Sequence, residues 1–347
     1  MVRTAIVKIW GKTVGAILWD EQQRLGVFEY HDSFLASEWN LSPIVLPMDD
    51  RSKVFSFPEL RRQRNTEFDT FKGLPGLIAD ALPDKYGSQL INTWLAQQGR
   101  PVESLNPVEL LCFIGSRAMG ALEFEPSNLV KKQSSFKLEM DSLVEIASKM
   151  LAQKEDFISI GTSAGGARPK AVIAYNNETG EVRSGQTSVS KGFEHWLLKL
   201  DGVSDVQLGD SQGYGRVEMA YYYMAVDCGI EMMPSRLLEE SGRAHFMTQR
   251  FDRAEGNVKH HVQTWCALKH FDFNDVNSYS YEQLFQTMRE LRLDYQAAEQ
   301  LFKRMVFNVL ARNCDDHTKN FSFLLKKNEK WELAPAYDIC YAYRPGS

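Results

Sequence analysis

Residues 313–321 read NCDDHTKNF. Two adjacent aspartates, a histidine, a lysine and an asparagine crowd into a few positions. The flanks are strongly apolar, LFKRMVFNVL (301–310) before the stretch and FSFLL (321–325) at its end. Charged side chains are seldom buried unless something pairs with them. The stretch is therefore either a solvated turn between two core elements or a polar loop held at a working site. Taken alone, the solvated turn is the simpler reading, and the rest of the chain has to decide.

The chain has 347 residues, 44% of them hydrophobic and 24% charged, the balance of an ordinary globular protein. That length allows two domains or one large bilobal one, with a core that needs no staples. Its five cysteines (Cys112, Cys228, Cys266, Cys314 and Cys340) are scattered without a CxxC pair. Their odd number and spacing argue against a disulfide framework or a structural zinc site and for a reducing cytosol. The first residues, MVRTAIVKIWGKTVG, carry Lys8 and Lys12 where a signal peptide would be apolar. No run of 18 apolar residues exists, so no membrane span is expected and the expected location is cytoplasmic. A net charge of −5 disfavours a broad nucleic-acid-binding face, although a local basic patch or a DNA-binding partner remains compatible.

The segments TAIVKIW, TVGAILWD and LGVFEY within the first thirty residues alternate as strands do. From about 74 to 125 the pattern turns helical. DKYGSQLINTWLAQQG places Leu90, Ile91, Trp94 and Leu95 on one face and stops at Gly99. Residues 126–138 are polar and aperiodic, as a connection between domains would be, and a helix is expected over about 141–153. A Ser/Gly-rich loop, GTSAGGARPK (161–170), then leads into the apolar run AVIAY, a turn and a second strand. HWLLKL (195–200) is an apolar strand with one lysine. RVEMAYYYMAVDCG follows as a helix, its inward face read as Val217, Tyr221, Met224 and Cys228. After the strand AHFMTQRF (244–251), a helix over 294–312 is read with Leu301, Met305, Val306, Val309 and Leu310 as its core stripe. NCDDHTKNF comes straight after it, then the short strands NFSFLL and WELA, then AYDI with Asp338.

That order matches the few parts that phosphoryl transfer from ATP requires, because such catalysis is mostly positioning and charge neutralisation. Small residues must surround the phosphates, and a lysine held by a glutamate must reach them. An aspartate must face the substrate hydroxyl, and two oxygen ligands must hold Mg²⁺. In protein kinases the catalytic aspartate stands five residues before a metal-binding asparagine, with a second aspartate shortly afterwards. Here Asp315 stands five residues before Asn320, Asp338 follows a hairpin, Lys199 lies in an apolar strand, and Glu218 lies on the next helix. Each alone has a plainer reading: a flexible connector, a snorkelling lysine, an exposed helix charge. Their joint order is what carries weight.

TSAGGARPKA, HWLLKL, QRFDR, DDHTKNFS and APAYDI together resemble the HipA-type toxin serine/threonine kinases of bacterial toxin–antitoxin modules. The resemblance runs over nearly the whole chain, and GLIADALPDKYG (76–87) looks like that family's N-terminal subdomain. It implies an α+β bilobal protein-kinase-like fold with a HipA-type N-terminal subdomain (1–130). An ATP-binding region would span 131–250 and a helical lobe 251–347. By the same resemblance Asp315 would be the catalytic base, with Asn320 and Asp338 as ligands of Mg²⁺. His317, Thr318, Lys319, Asn320, Tyr337 and Asp338 would line the ATP site, and Lys199 would contact the phosphates. Gln249, Arg250 and Phe251 would form an interlobe hinge holding adenine mainly by backbone groups, with Gln249 where a glutamate is usual. Gly165, Gly166, Ala167, Arg168, Pro169 and Lys170 would form the phosphate loop, and Ser163 would be the autophosphorylated serine. The implied partners are a small helix-turn-helix antitoxin, through which alone DNA would be met, and a protein substrate of the translation machinery. The family pattern also implies a further helical segment beyond the position of Ser347.

Two other functions compete. A kinase-shaped antitoxin co-regulator that transfers no phosphate would have no reason to keep Asp315, Asn320, Lys199 and Asp338 together, as this chain does. A small-molecule kinase of similar fold survives on the motifs alone, and only the N-terminal subdomain and the Ser163 loop speak for a protein substrate. Asp316 and His317 are read as structural, His260–His261 as a strand end, and the Arg250–Asp252–Arg253 group as surface ion pairs worth little.

Overall fold

The computed structural model describes residues 2–48, 52–62, 69–83, 87–88, 91, 95, 99, 105–126, 170–185, 188–201, 204–205, 209–210 and 213–343. The alternating N-terminal segments are strands β1 (Thr4–Ile9), β2 (Lys12–Asp20) and β3 (Leu25–Tyr30). A helical turn α1 (Asp32–Leu35), strand β4 (Val54–Phe55), helical turn α2 (Gly76–Ala79), helix α3 (Pro107–Ile114) and strand β5 (Leu122–Glu125) complete this part; β5 corrects the helical reading of 74–125 at its end, where pairing with β1 sets the conformation. The strands pair antiparallel in the order β4-β3-β2-β1-β5. Period-2 alternation turns Ala5, Val7 and Ile9 inward, where they meet Phe28, Phe34, Leu111 and Ile114. Helix α3 begins where the sequence provides a cap: the Asn106 side chain accepts from the Glu109 amide at 2.8 Å, and Pro107 opens the first turn. Ile91 and Leu95 are buried with Leu105 and Phe113, whereas Leu90 and Trp94 lie outside the described residues, as do 126–138 in large part and the helix expected over 141–153.

The second sheet is built from β6 (Lys170–Asn176), β7 (Val182–Ser184), β8 (Phe193–Lys199), β11 (Ser235–Glu240) and β12 (Arg243–Gln249), in the order β11-β12-β8-β6-β7. Between them lie the two-residue pair β9 (Ser204–Asp205) and β10 (Gly209–Asp210) and helix α4 (Tyr214–Asp227). Gly215 lets α4 lie directly on the sheet, since a Cβ there would fall 1.9 Å from the Ala244 carbonyl oxygen. This packing overturns the expected helix face at three of its four positions, and Tyr221 alone of the four packs inward, half-buried against Ala225 and Phe307. Gly215, Met219 and Ala225 are buried, whereas Val217 and Met224 are exposed by 40% and 43% and Cys228 is exposed. Close approach selected a glycine and an alanine on either side of Met219, and the same rotation turns Glu218 inward.

The remaining chain forms β13 (Arg253–Ala254), β14 (Val258–Lys259), β15 (His261–Thr264), α5 (Trp265–Lys269), α6 (Tyr281–Glu290), α7 (Tyr295–Leu310), β16 (Ser322–Leu325) and β17 (Trp331–Leu333). Strands β15-β16-β17 make a small sheet, and Trp265, Leu268, Leu284, Met288, Leu301 and Phe323 fill the core beneath it. The stripe expected on α7 is also displaced. Leu301 is buried and Met305 half-buried, but Val306, Val309 and Leu310 are exposed, and the inner face carries Arg304, Phe307 and Asn308. Asn308 faces inward because it has polar partners there, the Tyr281 hydroxyl and Asn313. The N-terminal sheet is fastened to this lobe through His261 Nε2 and the Leu41 carbonyl (3.1 Å) and through Trp10 Nε1, which donates to the Lys259 carbonyl at 2.7 Å. Among the described residues no helix is long and apolar enough to cross a membrane.

Candidate active site

The two lobes and the N-terminal part enclose a cleft of about 1230 Å³. On one wall, β8 is flanked by β6 and β12, and the register sets Lys199 opposite both Lys170 and Phe246. The Lys199 ammonium is bonded to both Glu218 Oε1 and Asp338 Oδ1. Burial alone would lower its pKa, but Asp338 and Glu218 outweigh burial and hold it above the ordinary lysine value. Asp338 shows the complementary balance: burial pushes its carboxyl up, and Lys199, Lys170 and His317 pull it below the ordinary range. Its backbone is left-handed (φ 52°), a conformation a non-glycine residue keeps only when its surroundings hold it there.

The opposite wall is the loop after α7. Residues 313–321 bend back through a 3₁₀ turn, Thr318–Asn320. The Asn320 side-chain nitrogen donates to the Asp315 carbonyl at 2.7 Å, so the five-residue spacing closes a ring between the two residues. The Asp315 carboxylate is 68% exposed at the cleft, with His317 Nε2 3.8 Å away. Burial pushes the His317 imidazole below its ordinary value, against the pull of Asp315 and Asp338. Asp316 also borders the cleft but accepts the Tyr281 hydroxyl at 2.6 Å. Tyr337 donates to the Lys319 carbonyl at 2.7 Å and lies 5.7 Å from Phe251, ring centre to ring centre.

Asp315, His317, Lys319, Asn320, Tyr337, Asp338, Lys199, Gln249, Arg250 and Phe251 thus share one cleft. Two expected nucleotide-lining residues do not border it. Thr318 is buried and donates to the Phe271 carbonyl at 3.1 Å, and Lys170 is buried on the strand beside Lys199, acting on the site through its charge. Ser163 and Gly165–Pro169 lie outside the described residues. At the hinge, the Gln249 amide donates to the Pro234 carbonyl and the Arg250 amide to the His195 carbonyl, both at 2.9 Å.

Arg250, Asp252 and Arg253 are not surface ion pairs. Asp252 is 1% exposed and takes two hydrogen bonds from Arg250 (2.8 and 2.7 Å) and one from Arg253 (2.7 Å). It also accepts from the Gly120 amide at 2.7 Å, and Arg253 donates to the carbonyls of Ala118 and Gly120. The group therefore rivets the hinge to the N-terminal part. Neighbouring charges in a sequence give no sign of this, because the other partners lie more than a hundred residues upstream.

A five-stranded sheet whose lysine pairs with a glutamate on the adjoining helix, set against a helical lobe whose loop offers an aspartate and an asparagine, defines the bilobal protein-kinase-like class. The family models place it further: the HipA N-terminal domain matches residues 5–125 and the HipA-like C-terminal domain residues 162–347. The chain belongs to the HipA family. Among curated proteins it is 24% identical to "Putative kinase Y4mE" of Sinorhizobium fredii, over 96% of this chain and 76% of that one. Among solved structures it superposes on HipA of Shewanella oneidensis MR-1, determined with HipB and its operator DNA. The TM-score is 0.68 at 16% identity, covering 97% of this chain and 76% of that one.

Proposed function

We propose that the protein is an ATP-dependent serine/threonine protein kinase, the toxin of a HipA-type toxin–antitoxin module. The observation that carries this reading is the Lys199 ammonium held by both Glu218 and Asp338, across one cleft from Asp315 and Asn320. The donor set suits Mg²⁺, a hard cation that takes one or two protein carboxylates and completes its shell with water and phosphate oxygens. Asp338 supplies a carboxylate kept ionised by its cationic neighbours. Asn320 spends its nitrogen on the Asp315 carbonyl, which leaves its oxygen for a cation. Bound Mg²⁺–ATP would supply the γ-phosphoryl group. Lys199 orients the phosphates, and the Asp315 carboxylate accepts the proton of the attacking hydroxyl. Because the Gln249 and Arg250 amides are spent on Pro234 and His195, the adenine contacts of the hinge fall to its carbonyls and to Phe251.

The acceptor is a protein serine, with a component of the translation machinery as the family's substrate class. A small helix-turn-helix antitoxin is the partner, through which DNA is reached, and the site of action is the cytoplasm. Ser163 is the site of autophosphorylation. A phosphate there adds about two negative charges to the segment that carries Arg168 and Lys170 in sequence, and stops turnover. The test is transfer of ³²P from γ-labelled ATP in the presence of Mg²⁺, followed by phosphoamino-acid analysis and mass spectrometry of the protein. Phosphoserine in an added translation protein and on Ser163 is expected. Absence of any transfer by a protein that still binds Mg²⁺–ATP would leave the co-regulator reading in its place.

A further inference from the structure

The N-terminal segment GLIADALPDKYG has no part in the chemistry so far, yet Asp80 within it borders the cleft. Asp80 follows α2, which is seated on α5 by a glycine: a Cβ on Gly76 would fall 2.1 Å from the Ala267 carbonyl oxygen. The Gly76 amide donates to His270 Nε2 at 3.0 Å from the same contact. Both Asp80 oxygens are committed to one residue. Oδ2 accepts the Thr264 amide at 2.6 Å, and Oδ1 accepts the Thr264 hydroxyl at 2.8 Å.

Thr264 is a junction. Its hydroxyl caps α5 by accepting from the Ala267 amide, and its backbone is paired with Ser322 at the foot of the catalytic loop. The next amide, of Trp265, donates to the Phe321 carbonyl at 2.8 Å. The Ser322 hydroxyl bonds the Tyr337 hydroxyl, whose own proton goes to the Lys319 carbonyl, so Ser322 is the donor there. Hydrogen bonds thus join Asp80 to Thr264, and Ser322 to Tyr337 and Lys319; the strand pairing of Thr264 with Ser322, closed by the adjacent Trp265–Phe321 bond, links the two sets beside Asp338 and Asn320.

We propose that Asp80 is a positioning residue for phosphoryl transfer, through which the N-terminal subdomain fixes the catalytic loop and the metal-binding segment in one geometry. This rests on the kinase reading above. Loss of placement in a site that works by orientation costs up to about 100-fold in rate, without loss of groups that touch the nucleotide. Burial pushes the Asp80 carboxyl up, while its bonds to Thr264 and the charge of Lys319 pull the other way. An Asp80→Asn amide can accept only one of the two Thr264 protons and turns an N–H toward the other group, so the charged two-acceptor match is lost.

The experiment compares wild type, Asp80→Asn, Thr264→Val, Thr264→Ser and the Asp80→Asn/Thr264→Val double variant. Readouts are kcat, ATP affinity by calorimetry, and hydrogen exchange of the amides at 315–322. Asp80→Asn and Thr264→Val are each expected to lower kcat by about tenfold to 100-fold with ATP affinity unchanged. The double variant should fall no further than the worse single one, as members of one network do. Thr264→Ser, which keeps the hydroxyl, should retain wild-type kcat, and exchange at 315–322 should speed up only in the variants that lose the bond. Wild-type kcat in Asp80→Asn, or effects of Asp80→Asn and Thr264→Val that simply add, overturns the proposal. If wild type itself transfers no phosphate, the kinase reading falls, and hydrogen exchange then decides the coupling alone. Unchanged protection at 315–322 in Asp80→Asn refutes it.

Discussion

The Asp316 carboxylate accepts the Tyr281 hydroxyl, and that hydroxyl in turn accepts from Asn308, whose oxygen accepts from Asn313. Asp315, one residue earlier, extends into the open cleft. Two identical side chains thus have different environments, and their substitutions should fail differently. Asp315→Asn removes the proposed proton acceptor and is expected to lower kcat by about 10²–10⁴-fold, with ATP affinity and Tm unchanged. Tyr281→Phe leaves the Asp316 carboxylate and the Asn308 amide short of a partner and should cost about 1–3 kcal/mol of stability. Calorimetry and thermal unfolding of the two variants check the division. A dead Tyr281→Phe with full stability, beside an active Asp315→Asn, would show that the loop's register is wrong. This distinction was legible in the sequence because the five-residue interval to Asn320 singles out Asp315. The partner of Asp316 was not, since Tyr281 lies on a helix far upstream and no local pattern points to it.

Secondary elements were legible wherever a periodicity had no competitor. Strands β1 to β3 follow the alternation of TAIVKIW, TVGAILWD and LGVFEY almost residue for residue. The positions of α4 and α7 were equally plain, but their faces were not. On α4 the apolar side chains Val217 and Met224 look outward, and a glycine and an alanine look inward. Hydrophobicity ranks residues by size, whereas this interface ranks them by how closely two backbones approach. The rotation matters because it brings Glu218 to Lys199. The ammonium is shared between Glu218 and Asp338, so weakening one partner strengthens its hold on the other. Glu218→Gln should therefore tie Lys199 to Asp338 and weaken that carboxylate as the proposed metal ligand. Titrating ATP binding against Mg²⁺ should show that the variant needs more magnesium for half-saturation than wild type. Lys199→Ala should lose ATP affinity directly, with the fold retained by circular dichroism. Unchanged magnesium dependence in Glu218→Gln would mean that the two acids do not compete for the lysine.

At the scale of the whole molecule, Asp252 joins parts that the sequence keeps far apart: the hinge arginines, and the Ala118–Gly120 loop of the N-terminal part. Burial pushes its carboxyl up, but the Arg250 and Arg253 guanidiniums outweigh burial and hold it far below the ordinary aspartate value of 3.8. The unfolded chain restores that ordinary value, so between the two the unfolded state binds a proton that the folded state refuses. The contribution to stability is thus fully present above the ordinary carboxylate range and is lost progressively as pH falls below about 4. Removing the charge has a larger consequence than protonating it late, because two buried guanidiniums are left with an amide between them. Asp252→Asn is expected to cost about 3–5 kcal/mol, the range for breaking a buried ion pair from one side. The variant should also lose part of the acid sensitivity of wild type, since the group responsible for it is gone. Urea unfolding of both proteins between pH 3 and pH 7 measures the two effects together. Two stability curves that stay parallel down to pH 3 would show that Asp252 is not what acid attacks, however firmly it ties the hinge to the N-terminal part.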